Sequence, residues 1–262
     1  MAERFEPTLL SRIEDASLNA SAPPQQRWID GWLVRFSPGK ARRARSINAV
    51  APGRLPIDAK LALAAEVYRD AGLTMHARIT PFSMPAPLDA HLAALGWSAI
   101  EDTQVLVRAA LATADAPPLR PDPTGLRWTV LDATTFAEAV GALRGSSAIE
   151  RAAHAERLRL SPTPYRSHAF IEVASGAPVA CGQFAREGAL VGLYDVFTAP
   201  THRRAGLAAL LCERMLSLAS KEGAVTAYLQ VSADNAPARR IYERLGFEEG
   251  YRYHYRVPPG AR

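Results

Sequence analysis

The stretch from Ala109 to Gly125, AALATADAPPLRPDPTG, does most to limit what this chain can fold into. Pro117, Pro118, Pro121 and Pro123 remove backbone donors and fix φ, so neither a helix nor a central strand can run through it. It reads as an extended linker between two halves of similar size, residues 1–108 and 126–262. Offsetting the halves by 150 positions gives a partial repeat. Leu95-Gly96-Trp97 falls on Leu245-Gly246-Phe247, Ala77-Arg78-Ile79-Thr80 on Ala227-Tyr228-Leu229-Gln230, and Ala51-Pro52 roughly on Ala199-Pro200. A duplicated α/β unit of strands, helix, strand, helix, strand accounts for this pattern.

The second half is the more legible. Residues 169–173 and 178–184 are β-prone runs around Ala174-Ser175-Gly176-Ala177, a hairpin signal, and 190–197 is a third strand. From Arg204 to Lys221 the residues Leu207, Leu210, Leu211, Met215 and Leu218 recur at three and four, predicting an amphipathic helix stopped by Gly223. Residues 224–231 form a fourth strand, after which Asp234 or Asn235 can cap a helix with Pro237 in its first turn. Tyr251, Tyr253 and Tyr255 alternate with basic residues in a last strand, their rings on one core-facing side.

Two segments carry chemistry. In the first, a strand ends at Val196-Phe197-Thr198, turns at Pro200, and enters a helix through Arg203-Arg204-Ala205-Gly206-Leu207-Ala208. A helix start offers unpaired N–H groups at the positive end of the dipole, and small residues let phosphate oxygens reach them. In the second, Asn235, Ala238 and Tyr242 share one helix face, so an amide and a phenol could lie along one ligand; a cap, a packed alanine and a core tyrosine would leave the same spacing.

In this order the two segments closely resemble the GCN5-related N-acetyltransferase (GNAT) family over about residues 165–256. The family's Arg/Gln-x-x-Gly-x-Gly/Ala motif matches Arg203, Gly206 and Ala208. Through the repeat, the whole chain resembles a tandem GNAT: an α/β fold with a mixed sheet, the first copy degenerate and the second complete. The resemblance implies acetyl-CoA as cosubstrate. Its pantetheine arm would pair with the backbone of Val196, Phe197 and Thr198. Its pyrophosphate would sit on the amides of Arg203, Arg204, Ala205, Gly206, Leu207 and Ala208, with Asn235 and Ala238 on the far side of the arm. It also implies that Tyr242 protonates the departing thiolate, and that a small-molecule or peptide amine is the acceptor. Many members carry a strand-borne carboxylate base where this chain has Gly192. Tyr194, Asp195, Glu172 and His168 are nearby, and the base stays unassigned. In the first half Gly53, Pro56 and Asp58 replace the motif residues and Leu92 replaces Tyr242, so this copy is not expected to bind acetyl-CoA at the equivalent place.

Composition narrows the remaining choices. Lys40, Arg42, Arg43, Arg45 and Arg54 fall in fifteen residues without an acid, which suits either an anionic ligand or a solvated strand edge; without interleaved aromatics, nucleic acid is not expected. Cys181 and Cys212, the two cysteines, sit in apolar segments as buried thiols, and no metal site is expected. Trp28, Trp32 and Trp97 are expected in the core. No apolar run approaches the ~20 residues of a membrane span and no secretory leader is evident, which predicts a cytoplasmic monomer or homodimer. A CoA-binding regulatory protein without transferase chemistry is the alternative function. Residues around 144–168, including Arg144, Glu150, His154 and Tyr165, are expected to shape the acceptor pocket.

Overall fold

The computed structural model describes residues 5–111 and 120–260. The first half comprises α1 (Pro7–Ala20), β1 (Gln26–Ile29), β2 (Trp32–Arg35), β3 (Ile47–Ala49), α2 (Ile57–Asp70), β4 (Ala77–Ile79), α3 (Leu88–Ala94) and β5 (Ser98–Arg108). The second comprises β6 (Leu126–Leu131), α4 (Ala133–Arg144), α5 (Ala148–Arg159), β7 (Tyr165–Glu172), β8 (Pro178–Glu187), β9 (Leu190–Thr198), α6 (Leu207–Lys221), β10 (Thr226–Ser232), α7 (Ala236–Arg244) and β11 (Glu248–Val257). The 150-residue offset matches α2 with α6 and β5 with β11 at their first residues. The glycines after α3 and α7, Gly96 and Gly246, take φ of 79° and 80°, the left-handed stop that glycine adopts without a Cβ penalty.

The eleven strands of the described residues join one mixed sheet in the order β1-β2-β3-β4-β11-β5-β10-β9-β8-β7-β6. The last strand of each half lies within the other half's pairing. β11 pairs with β4 through His254, Tyr255 and Arg256, while β5 pairs with β10 over six positions from Ala227–Arg108 to Ser232–Thr103. The proline-rich segment flanks this exchange; residues 112–119 lie outside the described part, but Leu111 N–H donates to Val225 O at 2.7 Å and Arg120 pairs with Glu213 at 2.9 Å.

Alternation along the strands sorts the core between two faces. On one, Leu210, Leu211 and Met215 of α6 pack on Leu193, Ala227 and Leu229, while Leu61, Ala64 and Val67 of α2 pack on Ile47, Ala77 and Ile79. On the other, Ile13, Ala16 and Ala20 of α1 cover Tyr228, Tyr251, Tyr253 and Tyr255, and α4 places Phe136 and Val140 against Ala169 and Cys181. Under α1 the Glu14 carboxylate pairs with Arg78 and accepts the Tyr251 hydroxyl at 2.6 Å, and the Arg78 guanidinium lies over the Tyr253 ring at 3.9 Å. Removing one member of such a buried pair costs about 3–5 kcal/mol, because the survivor stays buried and charged.

Asp132 caps α4, accepting Thr134 and Thr135 N–H at 2.9 Å, and a Ser147–Glu150 capping box starts α5. The tyrosine stripe and both cysteines are buried, as are Trp32 and Trp97. Trp28 departs from expectation at 63% exposed, since β1 is the sheet's outermost strand. The helix predicted from Arg204 begins at Leu207, because Arg204 (φ 66°) and Gly206 (φ 76°) are left-handed and cannot continue a right-handed turn.

Candidate active site

The site is built where two parallel strands part. β9 and β10 pair from Leu190–Thr226 to Leu193–Leu229, and beyond that point β9 pairs only with β8. The cause is a bulge: between the pairs Gln183–Tyr194 and Cys181–Phe197, β9 carries an extra residue, and Asp195 there takes φ of 53°. A bulge raises local twist and turns the strand edge from its neighbour. The edges of Val196, Phe197 and Thr198 on the β10 side are therefore unpaired, and Val196 lines a cleft of about 240 Å³ together with Gln230, Val231, Asn235, Ala238 and Tyr242.

After β9 ends at Thr198, α6 begins at Leu207. The backbone N–H groups of residues 204–209 have no acceptor among the described residues; the first helical bond runs from Leu210 N–H to Gly206 O at 3.1 Å. A Cβ added at Gly206 would meet nothing within 4 Å, so the approach is open. The Arg203 side chain folds back, with Nε 3.5 Å from Thr198 O and its guanidinium 5.9 Å from the Phe197 ring centroid. A helix start with free amides favours an anion through hydrogen bonds and the dipole.

On the wall formed by α7, Asn235 is the cap, its Oδ1 accepting Ala238 N–H at 3.2 Å, while its Nδ2 has no partner among the described residues. Tyr242 packs edge-on against Phe247 and lines the cleft, its hydroxyl without a protein partner among the described residues. Burial, reinforced by Cys212, pushes its phenol above the usual tyrosine range, so the hydroxyl is protonated at any physiological pH.

Asp195 anchors the inner end. Gln183 Nε2 donates to it at 2.7 Å, Arg144 pairs with it at 2.7 Å and His154 at 3.3 Å, while Ser167 donates to Gln183 at 3.0 Å. Burial opposes its charge, yet Arg144, His154 and Arg157 hold the carboxyl well below its usual range. A carboxylate this firmly ionised is a poor base. The other strand-borne candidates fare no better. His168 lies buried between Trp128 and Phe184, and Glu172 accepts from Ser175 at the far end of β7. Gly192 has no room for a side chain, since a Cβ would stand 2.6 Å from the Tyr194 ring.

Beside Asp195 opens a second cavity of about 280 Å³ between the halves. Arg144, Glu150 and His154, expected from sequence, line it with Lys40, Ser37 and Arg157. Tyr165 instead turns under α1, donating to Ala20 O at 2.6 Å. Gln183 was not legible as a site residue because it sits in an apolar run; an amide fully buried on a strand is a signal that only burial reveals.

The first half answers the same geometry with its own groups. The Asp30 carboxylate accepts Arg54 N–H at 2.8 Å and Leu55 N–H at 2.7 Å ahead of α2, and Lys60, its side chain 0% exposed, pairs with Asp30 at 3.2 Å. Beyond the Asn48–Arg78 pair, where β3 and β4 part, Met84 N–H donates to Ala49 O at 2.8 Å. Asp58, in place of Ala208, bonds His91. In this half, the amides of Arg54 and Leu55 and the carbonyl of Ala49 are thus engaged by the chain itself.

A sheet split by a bulge, with an open helix start at one end and a tyrosine on its wall, defines a GNAT-type acetyltransferase fold, here in tandem layout. Residues 10–256 match the family described as "Probable histone acetyltransferase Rv0428c C-terminal", and the chain belongs to it. Among solved structures, it is similar to a GCN5-related N-acetyltransferase from Kribbella flavida, at TM-score 0.60 and 22% identity over 96% of both chains. A tandem GNAT protein from the clavulanic acid biosynthesis pathway matches at TM-score 0.60 and 21% identity, over 76% of this chain and 68% of that one. A ribosomal protein bS18-alanine N-acetyltransferase from Escherichia coli K12 is 39% identical over 57 residues, 22% of this chain and 38% of the relative. The chain thus spans well under half the length of that curated relative. Among the described residues no helix is long and apolar enough to cross a membrane, and no group of three or more His, Cys, Asp or Glu is placed to hold a metal.

Proposed function

We propose that the chain transfers an acetyl group from acetyl-CoA to a primary amine of a small molecule or peptide, by direct attack in a ternary complex in the second half. The observation that carries this reading is the run of backbone N–H groups at residues 204–209 without a protein acceptor, set at the mouth of the parted β9–β10 pair. Amides of this kind favour a diphosphate through both hydrogen bonds and the helix dipole. The pantetheine arm would follow the unpaired edge of Val196, Phe197 and Thr198 into the cleft that Val196 shares with Asn235, Ala238 and Tyr242. The neutral amine attacks the thioester carbon, the C–S bond breaks, and Tyr242 gives its proton to the sulfur while the amine's surplus proton leaves to water. Burial raises the phenol, but it raises a thiolate in the same dry cleft as well, so the transfer between them stays near balance. The first half, with its equivalent amides and strand edge engaged by Asp30 and Met84, serves as scaffold and as a wall of the acceptor cavity.

One observation favours the second reading, a CoA-binding protein without transfer. Asp195, the carboxylate nearest the reacting end, is fully engaged by Arg144, His154 and Gln183. Calorimetric titration of acetyl-CoA, followed by thiol release with a panel of amines, separates the two. The transferase reading expects one site per chain, loss of binding by at least about a hundredfold in Gly206→Glu, and in Tyr242→Phe retained binding with turnover slowed about tenfold or more. Binding without thiol release from any amine supports the second reading. Unchanged affinity in a folded Gly206→Glu overturns the cradle.

A further inference from the structure

The cleft of the second half has one wall residue that the first half supplies. Arg43 lies in a short 3-10 helix, Arg42–Ala44, and lines the cleft alongside Tyr194, Asp195 and Tyr242. Its guanidinium sits over the Tyr194 ring, 5.6 Å from the centroid, and its Nη1 is buried without a hydrogen-bond partner. The acids within its field are already taken. Glu14 has both oxygens engaged by Arg78 and Tyr251, and Asp195 is held by Arg144, His154 and Gln183.

Cations also line the adjoining 280 Å³ cavity: Lys40 lies in the field of Glu150, and Arg157 packs over Tyr165 in the field of Asp195. Glu150, the cavity's other acid, is committed to the capping box, accepting Ser147 N–H at 2.8 Å. A guanidinium stays charged at any working pH, and burying it without a counter-anion is costly. Its planar fork matches a carboxylate or a phosphate.

We propose that the acceptor amine also carries an acidic group, a carboxylate or a phosphate, and that Arg43 holds it. This rests on the transferase reading above. The degenerate half then has a role in specificity: it delivers across the interface the cation that selects the substrate. Arg43 acts on acceptor binding and leaves the acetyl-CoA cradle at α6 to other residues.

The test measures thiol release with matched amines, β-alanine against β-alaninamide and phosphoethanolamine against ethanolamine, in the wild type, Arg43→Gln and Arg43→Lys. Acetyl-CoA binding is first checked by calorimetry in each. The wild type is expected to favour at least one anionic member over its neutral partner by at least about tenfold in kcat/KM, and the two pairs show whether carboxylate or phosphate is preferred. Arg43→Gln should bring that ratio close to one, chiefly through the acceptor KM, with Arg43→Lys between. Equal or better use of the neutral amines overturns the proposal, as does an unchanged ratio in a folded Arg43→Gln, or no turnover of any member by protein that binds acetyl-CoA. If Arg43→Gln does not fold, the wild-type ratios and Arg43→Lys still decide. Absence of acetyl-CoA binding in the wild type overturns the transferase reading itself, and calorimetry reveals that separately.

Discussion

His168 shows how far one residue's chemistry can be set by its neighbours. Its ring is stacked between Trp128, at 4.7 Å and 17°, and Phe184, at 5.9 Å and 10°, and both ring nitrogens are buried without partners. Burial, helped by Arg166, pushes its pKa down to about 4. In the unfolded chain the imidazole binds a proton near its ordinary pKa of about 6.5, whereas the folded chain keeps it neutral until about 4. The unfolded state therefore holds more protons between those values, and stability falls as pH falls through that window. Replacing His168 by Phe keeps a ring in the stack and removes the linkage. The melting temperature of His168→Phe relative to wild type should rise steadily from pH 7 to pH 4.5 in scanning calorimetry; parallel curves for the two proteins would refute the assignment. In sequence, His168 was one of several polar residues near the site, and only the structure shows its ring enclosed between two aromatic side chains.

At the scale of elements, the two equivalent helix starts diverge through what meets their amides. Ahead of α6, Arg204 and Gly206 hold left-handed angles, and the N–H groups of residues 204–209 have no acceptor among the described residues. Ahead of α2, Asp30 from the β1–β2 turn takes two amides and the buried Lys60 ammonium. The local sequence exposed part of this, since Pro56 and Asp58 break the motif. It could not show that the plug is a carboxylate from twenty-odd residues earlier, because that contact depends on how the hairpin folds over the helix. Asp30→Ala leaves a buried ammonium without its anion, so its melting temperature should drop clearly below wild type, with Asp30→Asn, which keeps an acceptor, falling less. Identical melting of Asp30→Ala and wild type would show that the plug contributes nothing. The same scale explains Asp195: one extra residue in β9 opens the cleft, and the register shift that reveals it is invisible in an apolar run.

For the whole molecule, the exchange of last strands ties the halves into one sheet. β11 completes the first half's pairing and β5 the second's, so neither half can unfold while leaving the other's edge intact. Trp28, Trp32 and Trp97 are all in the first half, with Trp128 in the second, so tryptophan fluorescence weights the first half and far-ultraviolet circular dichroism reports both. The two signals should trace one coincident transition in urea. Two resolved transitions would mean that the halves are independent despite the shared sheet.

The boundary between what sequence and tertiary structure decide follows the reach of the forces involved. Local rules suffice for the amphipathic α6, the Asn235 cap, the glycine stops after α3 and α7, the tyrosine stripe and the small-residue helix start, because each depends on residues within a turn or two. The repeat was legible for the same reason: each copy keeps its own local pattern. What the sequence left open are pairings between distant segments. Strand exchange, the Asp30 plug, the paired and ionised Asp195, and the delivery of Arg43 into the other half's cleft each join residues far apart in the chain. Such contacts are chosen by burial and charge compensation in the folded sheet, where a basic run that could have been a solvated edge becomes a wall of the site.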